Sequence, residues 1–308
     1  MSVRVAVIGV GYLGQQHARI YSELKDAELI CVVDKDRDKA AEVAYRFGCR
    51  ADTDYTSIIK DVDAVSIVVP TSLHHRIAMD FLRHNIDILV EKPITSTVKE
   101  AGELIAEAKK KGLILQVGHL ERFNAGVSLL AKAINEPRFI EAKRLSPFLQ
   151  RGSDVDVTLD LMIHDIDIIL SLVRSEIKSI KAVGSRVITK NIDVAHAWIE
   201  FKNGCVAQAV ASRLSKDKLR EIKVFQNDAF ISLDYQKQEL VFHRKARNGT
   251  VRVETKSPEK KEPLKEELMA FLRCVRSRQR PVASGYEGRE ALRVALKVSE
   301  VVRNGSNA

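Results

Sequence analysis

Three glycines near the start of the chain restrict its fold more than any other feature. Gly9, Gly11 and Gly14 follow the apolar run Val3–Ile8 and precede a helix-like segment, with the spacing G-x-G-x-x-G. In such a strand–turn–helix the first glycine permits a tight turn, the second lets a pyrophosphate approach the backbone, and the third lets helix and strand pack closely. The amides and dipole at the helix start favour the negative charge of the pyrophosphate. The segment is therefore predicted to bind a dinucleotide.

The residue after the second strand-like run predicts which dinucleotide is bound. Asp34 follows residues 29–33 and lies 20 residues after Gly14. A carboxylate at this position accepts hydrogen bonds from the adenosine ribose and repels a 2′-phosphate, which predicts NAD as the cofactor. Arg37 leaves an alternative open, because an arginine in this loop can accommodate the phosphate of NADP or can simply be exposed to solvent.

Up to about residue 118, apolar strand-like runs alternate with helix-like segments. The predicted strands are residues 3–8, 29–33, 64–69, 86–90 and 113–117, and the predicted helices are residues 13–24, 38–47, 73–84 and 98–111. Continuous apolar strands separated by helices predict a parallel sheet covered on both faces, and right-handed crossovers make it a doubly wound α/β fold. Residues 1–119 are therefore predicted to form a Rossmann domain.

The pattern changes in the second part of the chain, where short strands follow one another. The predicted strands are residues 139–145, 177–189, 194–201, 205–213, 221–226, 230–234 and 238–243, and the predicted helices are residues 124–135, 157–173, 264–276 and 287–303. The polar, lysine-rich residues 244–262 are expected to be an exposed hairpin or loop. Residues 120–308 are therefore predicted to be an α+β domain with a large, mostly antiparallel open sheet, whose last helix can pack back on the N-terminal domain. A length of 308 residues is consistent with two domains.

Charge and composition narrow the class of partner. The chain has 50 basic and 41 acidic residues, a formal net charge of +9, but the bases are dispersed and only 6% of residues are aromatic. This is not the pattern of a nucleic-acid module, whereas a positive field is compatible with an anionic small-molecule substrate. The four cysteines are far apart, which predicts neither a disulfide framework nor a zinc site. No apolar run is long enough for a membrane span and no targeting segment is recognised, so a cytoplasmic protein is expected.

The tripeptide Glu91-Lys92-Pro93 directly follows the predicted strand at residues 86–90. Nucleotide-binding parallel sheets carry their ligand sites at the carboxyl ends of the strands, so Lys92 can hold a substrate hydroxyl close to a nicotinamide. The alternative is a surface pair of Glu91 and Lys92.

The loop after the preceding strand is a further candidate. Pro70, Thr71 and Ser72 lie where a βα loop can line the nicotinamide end of the groove, and His74 begins the next helix. Capping of that helix by Thr71 or Ser72 is the alternative. The residues assigned to cofactor binding are Gly9, Gly11, Tyr12, Leu13, Gly14, Asp34, Arg37, Pro70, Thr71, His74, Glu91 and Lys92.

Polar residues interrupt the strongly apolar helix predicted at residues 157–173. Asp160 and His164 are four positions apart and Asp167 is a turn further, so the three side chains are expected on one face. A polar stripe on an apolar helix costs free energy unless it has partners or serves a site. A satisfied core histidine is the ordinary alternative, but a histidine with acids at helical spacing favours a site. No metal is predicted, because one histidine with carboxylates is a poor zinc set.

Taken together, these residues resemble the Gfo/Idh/MocA family of oxidoreductases over essentially the whole chain. The shared elements are Gly9-x-Gly11-x-x-Gly14-x-x-His17, Asp34, Glu91-Lys92-Pro93, Arg122-Phe123-Asn124, Asp160-x-x-x-His164-Asp165 and the closing Tyr286-Glu287-Gly288-Arg289-Glu290-Ala291-Leu292. The resemblance implies a C-terminal open sheet that carries substrate residues on one face and often mediates oligomerisation through the other, so a homodimer or homotetramer is expected.

The resemblance also implies the roles of the site residues. Lys92 would be the catalytic lysine, His164 the acid/base that accepts the hydroxyl proton, and Asp160 a substrate-orienting or proton-relay residue. Arg122 and Asn124 would join these three in binding substrate. The Lys92-Pro93 peptide bond would be cis.

The second half is similar to one branch of the family, the bacterial UDP-N-acetylglucosamine 3-dehydrogenases. The similar segments are Ser146-Pro147-Phe148, Asp154-Val155-Asp156, residues 160–167 and Ala211-Ser212-Arg213. This similarity implies NAD-dependent oxidation at C3 of UDP-N-acetylglucosamine, which prepares the sugar for amination in lipid A synthesis. Arg151 and Arg213 are further candidates near the substrate, because a guanidinium can bind phosphate bidentately. The alternatives are an inositol or free-sugar dehydrogenase and, in another class, a non-catalytic NAD-binding regulator, against which the intact lysine, aspartate and histidine argue.

Overall fold

The computed structural model describes residues 2–149, 155–246 and 248–305. Contacts between Cα atoms divide the chain into two compact units. The first unit is Met1–Leu120 with Glu262–Arg289, and the second unit is Glu121–Lys261 with Glu290–Ala308. The division into two domains at residue 119 stays a prediction.

The described residues form 14 strands and eight α-helices. The strands are β1 (Val3–Ile8), β2 (Ala27–Val33), β3 (Arg50–Asp52), β4 (Ala64–Ile67), β5 (Asp87–Glu91), β6 (Leu115–Gly118), β7 (Pro137–Leu145), β8 (Ile177–Ser185), β9 (Val194–Phe201), β10 (Val206–Ser212), β11 (Leu219–Gln226), β12 (Ala229–Asp234), β13 (Glu239–Lys245) and β14 (Val251–Lys256). The α-helices are α1 (Tyr12–Glu23), α2 (Arg37–Phe47), α3 (Thr71–Arg83), α4 (Val98–Lys111), α5 (Ala125–Ala133), α6 (Ile163–Leu172), α7 (Pro263–Ser277) and α8 (Gly285–Gly305). Shorter turns are the 3-10 turns Tyr55–Ile58 and Leu120–Phe123 and the π-helical turn Thr158–Met162.

The sheet of the first unit is parallel, with the strand order β3-β2-β1-β4-β5-β6. Its core joins apolar residues of β1 and α1 to the apolar face of α7, where Leu268 and Phe271 are fully buried. The predicted doubly wound α/β architecture is confirmed. The sequence did not predict β3, because this strand of three residues is polar and mostly exposed.

Helix α4 shows how the sequence sets the bounds of an element in this unit. Thr97 accepts a hydrogen bond from the amide of Glu100, and Glu100 accepts one from the amide of Thr97, a reciprocal cap at the helix start. Leu104 and Ile105 contribute to the buried face. Gly112 ends the helix with a φ of 64°, a left-handed conformation that favours glycine.

The sheet of the second unit has the strand order β14-β13-β12-β11-β7-β10-β9-β8. Its neighbouring pairs are antiparallel except β7 with β10, which is parallel. Alternate residues such as Ile140 and Ile222 pack in a core that also contains α5, α6 and α8. Because side chains alternate along a strand, Phe139 and Phe225 lie on the opposite face. The predicted mostly antiparallel sheet is confirmed.

Two predicted elements differ in detail from the structure. The strand predicted at residues 177–189 ends at Ser185, because the amides of Val187, Ile188 and Thr189 donate to Oδ2 of Asp193 at 2.8, 2.8 and 2.9 Å and fix a turn. The helix predicted at residues 157–173 is a π-helical turn followed by α6.

Of the two alternatives predicted for the lysine-rich segment, the structure shows a hairpin, in which β13 pairs with β14. None of the described helices combines the length and the apolar character that a membrane span requires.

Candidate active site

The glycine turn leaves room for a pyrophosphate. Gly9 has a φ of 92°, and a Cβ atom there would lie 2.6 Å from the carbonyl oxygen of Val68. A Cβ atom at Gly14 would collide with the carbonyl oxygen of Gly9, whereas one at Gly11 would meet nothing within 4 Å. The open space at Gly11 lets a ligand approach the backbone, as the motif predicts.

The start of α1 directly follows this turn. The amide of Gln15 donates to the carbonyl of Gly11 at 3.0 Å, the first hydrogen bond of the helix. The amides of Tyr12, Leu13 and Gly14 precede it, and such amides at a helix start are suited to an anion. The turn and the helix start together fit the diphosphate of a dinucleotide.

Asp34 is half-buried and directly follows β2. Its Oδ2 accepts a hydrogen bond from the amide of Val10 at 2.8 Å, and its Oδ1 accepts one from the amide of Asp36 at 3.1 Å. Each carboxylate oxygen has a further lone pair, so Asp34 can stabilise the glycine turn and also accept hydrogen bonds from ribose hydroxyls. Arg37 is exposed at the first position of α2, and its contact with the cofactor stays a prediction.

In the loop after β4, neither Thr71 nor Ser72 caps the next helix, which was one of the two interpretations of this segment. Helix α3 begins at Thr71, and Pro70 occupies the N-cap position without a side-chain hydrogen bond. Capping of α3 by Thr71 or Ser72 is therefore wrong. His74 is buried, with Nδ1 2.9 Å from the carbonyl oxygen of Pro93 and Nε2 2.8 Å from that of Val69. The His74 ring thus joins the loop after β4 to the loop after β5.

Glu91 ends β5, and Lys92 follows in a half-buried position. The Lys92-Pro93 bond is cis, as the family resemblance implies. Oε1 of Glu91 lies 3.4 Å from Nε2 of His17, and Oε2 accepts a hydrogen bond from the amide of Lys92 at 3.1 Å. Burial opposes the charge on Glu91, but the contact with His17 and the charge of Lys92 hold its pKa below the usual range. Glu91 is therefore a buried anion and not part of a surface pair.

In the second unit, Asp160 lies in the π-helical turn and His164 in the first turn of α6. Both are half-buried, between buried neighbours such as Met162 and Ile163. A π-helical turn has more residues per turn than an α-helix, so the spacing of four does not by itself place the two side chains on one face. Such turns are frequent at functional sites.

A buried arginine holds α6 to the sheet. Arg144 of β7 donates to both oxygens of Asp165 at 2.8 and 3.0 Å and to Oε1 of Glu121 at 3.0 Å. Its guanidinium also lies 5.2 Å from the ring centroid of Tyr235. Burial opposes the charge of Arg144, but the two carboxylates raise its pKa above the usual value. These contacts fix the residue that follows His164.

The sequence analysis did not single out Arg144. The available signal is an arginine that alternates with the core residues Ile140 and Ala142 on one strand. Its partners Glu121 and Asp165 are distant in sequence, so the pairing could not be deduced from the pattern.

Two residues predicted to bind substrate have partners within the second unit. Arg122 donates to both carboxylate oxygens of Asp167 at 2.6 and 2.7 Å. Asn124 is buried; its Oδ1 accepts from the amide of Gly126 at 2.9 Å and its Nδ2 donates to the carbonyl of Tyr235 at 3.0 Å. Both side chains therefore stabilise the fold here, and their contact with substrate stays a prediction.

The other arginine candidates differ. Arg213 is only 3% exposed, and its Nη2 donates to the carbonyl of Val155 at 2.8 Å. Its Nε and Nη1 have no hydrogen-bond partner among the described residues. Arg151 and Asp154 lie outside the described residues.

Models of two domain families match the chain. The oxidoreductase family with an NAD-binding Rossmann fold matches residues 3–119, and the GFO/IDH/MocA C-terminal domain matches residues 132–231. These are the segments that contain the glycine turn with Lys92 and the helical turn with Asp160 and His164.

Individual relatives agree with the domain matches. The chain is 37% identical, over 97% of each chain, to UDP-N-acetylglucosamine 3-dehydrogenase of Acidithiobacillus ferrooxidans. A solved structure of that enzyme matches with a TM-score of 0.95, covering 99% of this chain and 98% of the other at 36% identity. The scyllo-inositol 2-dehydrogenase (NAD(+)) of Bacillus subtilis is 27% identical over 98% of this chain and 95% of its own length.

A levoglucosan dehydrogenase solved with NADH and levoglucosan shares the fold, with a TM-score of 0.90 at 21% identity and coverage of 99% of this chain and 98% of the other. Residues 3–119 form an NAD-binding Rossmann domain, and the chain belongs to the Gfo/Idh/MocA family of oxidoreductases.

Proposed function

We propose that the enzyme oxidises the C3 hydroxyl of UDP-N-acetylglucosamine to a ketone with NAD. The observation that carries the proposal is the 37% identity with the Acidithiobacillus enzyme over nearly the full length of both chains. The inositol dehydrogenase is less similar, at 27%. An inositol or free-sugar substrate is therefore the second candidate.

The chemistry follows from the residue types at the site. Bound NAD would supply the hydride acceptor, and the glycine turn, the start of α1 and Asp34 would hold it. His164 would accept the hydroxyl proton as a general base. The ammonium group of Lys92 would stabilise negative charge on the substrate oxygen. Asp160 would orient the substrate or relay the proton.

Arg213 is our candidate for binding the diphosphate of the nucleotide sugar. Arg122 is already paired with Asp167, whereas two guanidinium nitrogens of Arg213 lack a partner among the described residues. A buried guanidinium without a counter-charge costs several kcal/mol, and a phosphate would supply both charge and acceptors. Arg213→Met should raise KM for the UDP-sugar while leaving NAD affinity unchanged. Equal KM values in Arg213→Met and wild type would refute this assignment.

We also propose a homodimer or homotetramer in which a second copy covers the face of the second sheet opposite its core. On this face Phe225 contacts Phe139 and Phe230 at centroid distances of 5.7 and 4.8 Å, and Val183 is 60% exposed. Apolar and aromatic area of this kind favours a protein interface. Light scattering after size exclusion should give a multiple of 34.5 kDa, and Phe225→Asp should shift the measured mass toward that of the monomer.

We propose that the enzyme acts in the cytoplasm, where both NAD and nucleotide sugars are available.

The function is tested by following NADH absorbance with UDP-sugars, inositols and free hexoses. A coupled glutamate-dependent aminotransferase would draw off the ketone if the equilibrium is unfavourable. UDP-N-acetylglucosamine should be oxidised with the highest kcat/KM. Turnover of inositols alone would favour the second candidate.

Variants of the two proposed catalytic residues test the mechanism. Lys92→Ala should bind NAD but lose most turnover, and His164→Ala should lose about 10²–10⁴-fold in kcat, the usual contribution of a general base. Lys99→Ala is the matched control, because Lys99 is an exposed residue of α4. Wild-type rates in both catalytic variants would contradict the assigned roles.

A further inference from the structure

Two buried histidines contact the residues on either side of Lys92. His17 of α1 is fully buried, with Nε2 3.4 Å from the carboxylate of Glu91. His74 of α3 is 1% exposed, with Nδ1 2.9 Å from the carbonyl oxygen of Pro93. The two residues that flank Lys92 therefore each contact a buried histidine of the first unit.

We propose that His17 and His74 are positioning residues for Lys92, which hold its two neighbours so that its side chain extends from one fixed backbone position. The inference rests on the proposed function, in which Lys92 stabilises the substrate oxygen. A displacement of about 1 Å at a reacting group can cost about 10²-fold in rate. Fixing the backbone at Lys92 thus has a catalytic consequence.

The Glu91 contact is fixed on more than one side. A Cβ atom at Gly118 of β6 would lie 2.6 Å from Oε1 and 2.7 Å from Oε2 of Glu91, so the carboxylate occupies the space that a side chain there would fill. Oε2 also accepts the amide hydrogen of Lys92. A movement of the Glu91 side chain would therefore also displace the backbone of Lys92. The buried ring of His17, 3.4 Å from Oε1, limits that movement.

The His74 contact ties the loop of Lys92 to a second strand end. Its Nε2 lies 2.8 Å from the carbonyl oxygen of Val69, just beyond β4. The ring is rigid and almost fully buried, so solvent does not compete for its nitrogens. Glutamine at this position would keep an N–H donor, whereas phenylalanine would keep the bulk but could not donate to either carbonyl oxygen.

The test compares His74→Gln, His74→Phe and His17→Gln with His75→Gln. His75 is the matched control, because it is the next residue on α3 and its ring pairs with the partly exposed Glu103 at 2.9 Å. The measurements are kcat and KM with NAD and UDP-N-acetylglucosamine, NAD affinity by calorimetry, and the melting temperature. We expect kcat to fall about 10–100-fold in His74→Phe and His17→Gln, less in His74→Gln, and not at all in His75→Gln, with NAD affinity retained.

A second measurement separates positioning from a general loss of structure. If His74 acts through Lys92, then His74→Gln should lower the residual rate of Lys92→Ala no further. A full additional loss in the double variant would overturn the inference, as would wild-type kcat in both His74→Phe and His17→Gln. If the wild-type enzyme does not oxidise UDP-N-acetylglucosamine, the proposed function itself is contradicted, so the two failures are distinguishable.

Discussion

Replacing Arg144 with methionine should destabilise the second unit by about 3–5 kcal/mol. The substitution keeps an apolar stem of similar length but removes three hydrogen bonds, and it leaves Asp165 and Glu121 as carboxylates that are 1% and 4% exposed. Breaking a buried ion pair by deleting one partner is costly because the other charge stays buried without compensation. Glu121 keeps the Nδ2 donor of Asn124 and lies 4.0 Å from Arg220, so Asp165 should account for most of the loss.

The loss should depend on pH in a defined direction. Burial raises the pKa of Asp165, and Arg144 opposes that rise. Without the arginine the pKa of Asp165 in the folded state rises further above its unfolded value. A carboxyl group with a raised folded pKa costs stability at higher pH, and the cost is relieved as the pH falls and the folded state takes up the proton. The deficit of Arg144→Met should therefore be larger at pH 8 than at pH 5.

The assay is urea unfolding followed by the fluorescence of Trp198, the single tryptophan of the chain, which lies on β9 of the same unit. Arg138→Met is the matched control, because Arg138 is an exposed arginine at the start of the same strand, β7. It should change stability by about 0.5 kcal/mol or less. Adding Glu121→Gln and Asp165→Asn to Arg144→Met should recover part of the loss. Equal unfolding midpoints for the Arg144 and Arg138 variants, or a deficit that is independent of pH, would refute the reasoning.

Three further predictions address separate parts of the chain. Gly118→Ala should lower turnover about tenfold or more, because its Cβ atom would lie 2.6 Å from Oε1 of Glu91; Gly102→Ala, which meets nothing within 4 Å, is the control. Asp193 is buried, but four hydrogen bonds lower its pKa to about 2, so Asp193→Asn should cost about 1–2 kcal/mol at neutral pH. That difference should disappear as the pH falls from about 4 to 2, as acid titration of both proteins would show. Asp34→Ala should bind NAD more weakly and discriminate less against NADP in calorimetric titrations. Unchanged discrimination would mean that another residue determines the preference for NAD.

Much of the first unit could be predicted because its signals are local. The glycine turn, the apolar strands and the acid after β2 each follow from conformational limits or from periodicity within a short segment. The strand β3 was not predicted, because its polar residues Arg50 and Asp52 do not form the apolar pattern by which a strand is recognised. Its strand conformation comes from pairing with β2.

The second unit shows where local reasoning fails. The end of β8 depends on a carboxylate, Asp193, that draws three amides into a turn beyond Ser185. The strand pattern can place Arg144 on the core side of β7, but it cannot supply the partners, which come from a turn and a helix elsewhere in the chain. Long-range pairing of this kind arises only when the whole unit folds.

The order of the two units along the chain has a consequence for synthesis on the ribosome. Along the sequence, most of the second unit (Glu121–Lys261) lies between the two segments that form the first unit. The core of the first unit needs α7, because Leu264, Leu268, Phe271 and Leu272 pack with β1 and α1. A nascent chain that has emerged only to residue 119 therefore exposes apolar surface that its own sequence cannot yet cover. Exposed apolar surface of this kind promotes chaperone binding or aggregation until about 150 further residues have been translated. A shortened gene for the dinucleotide-binding part should accordingly append residues 262–289 through a linker.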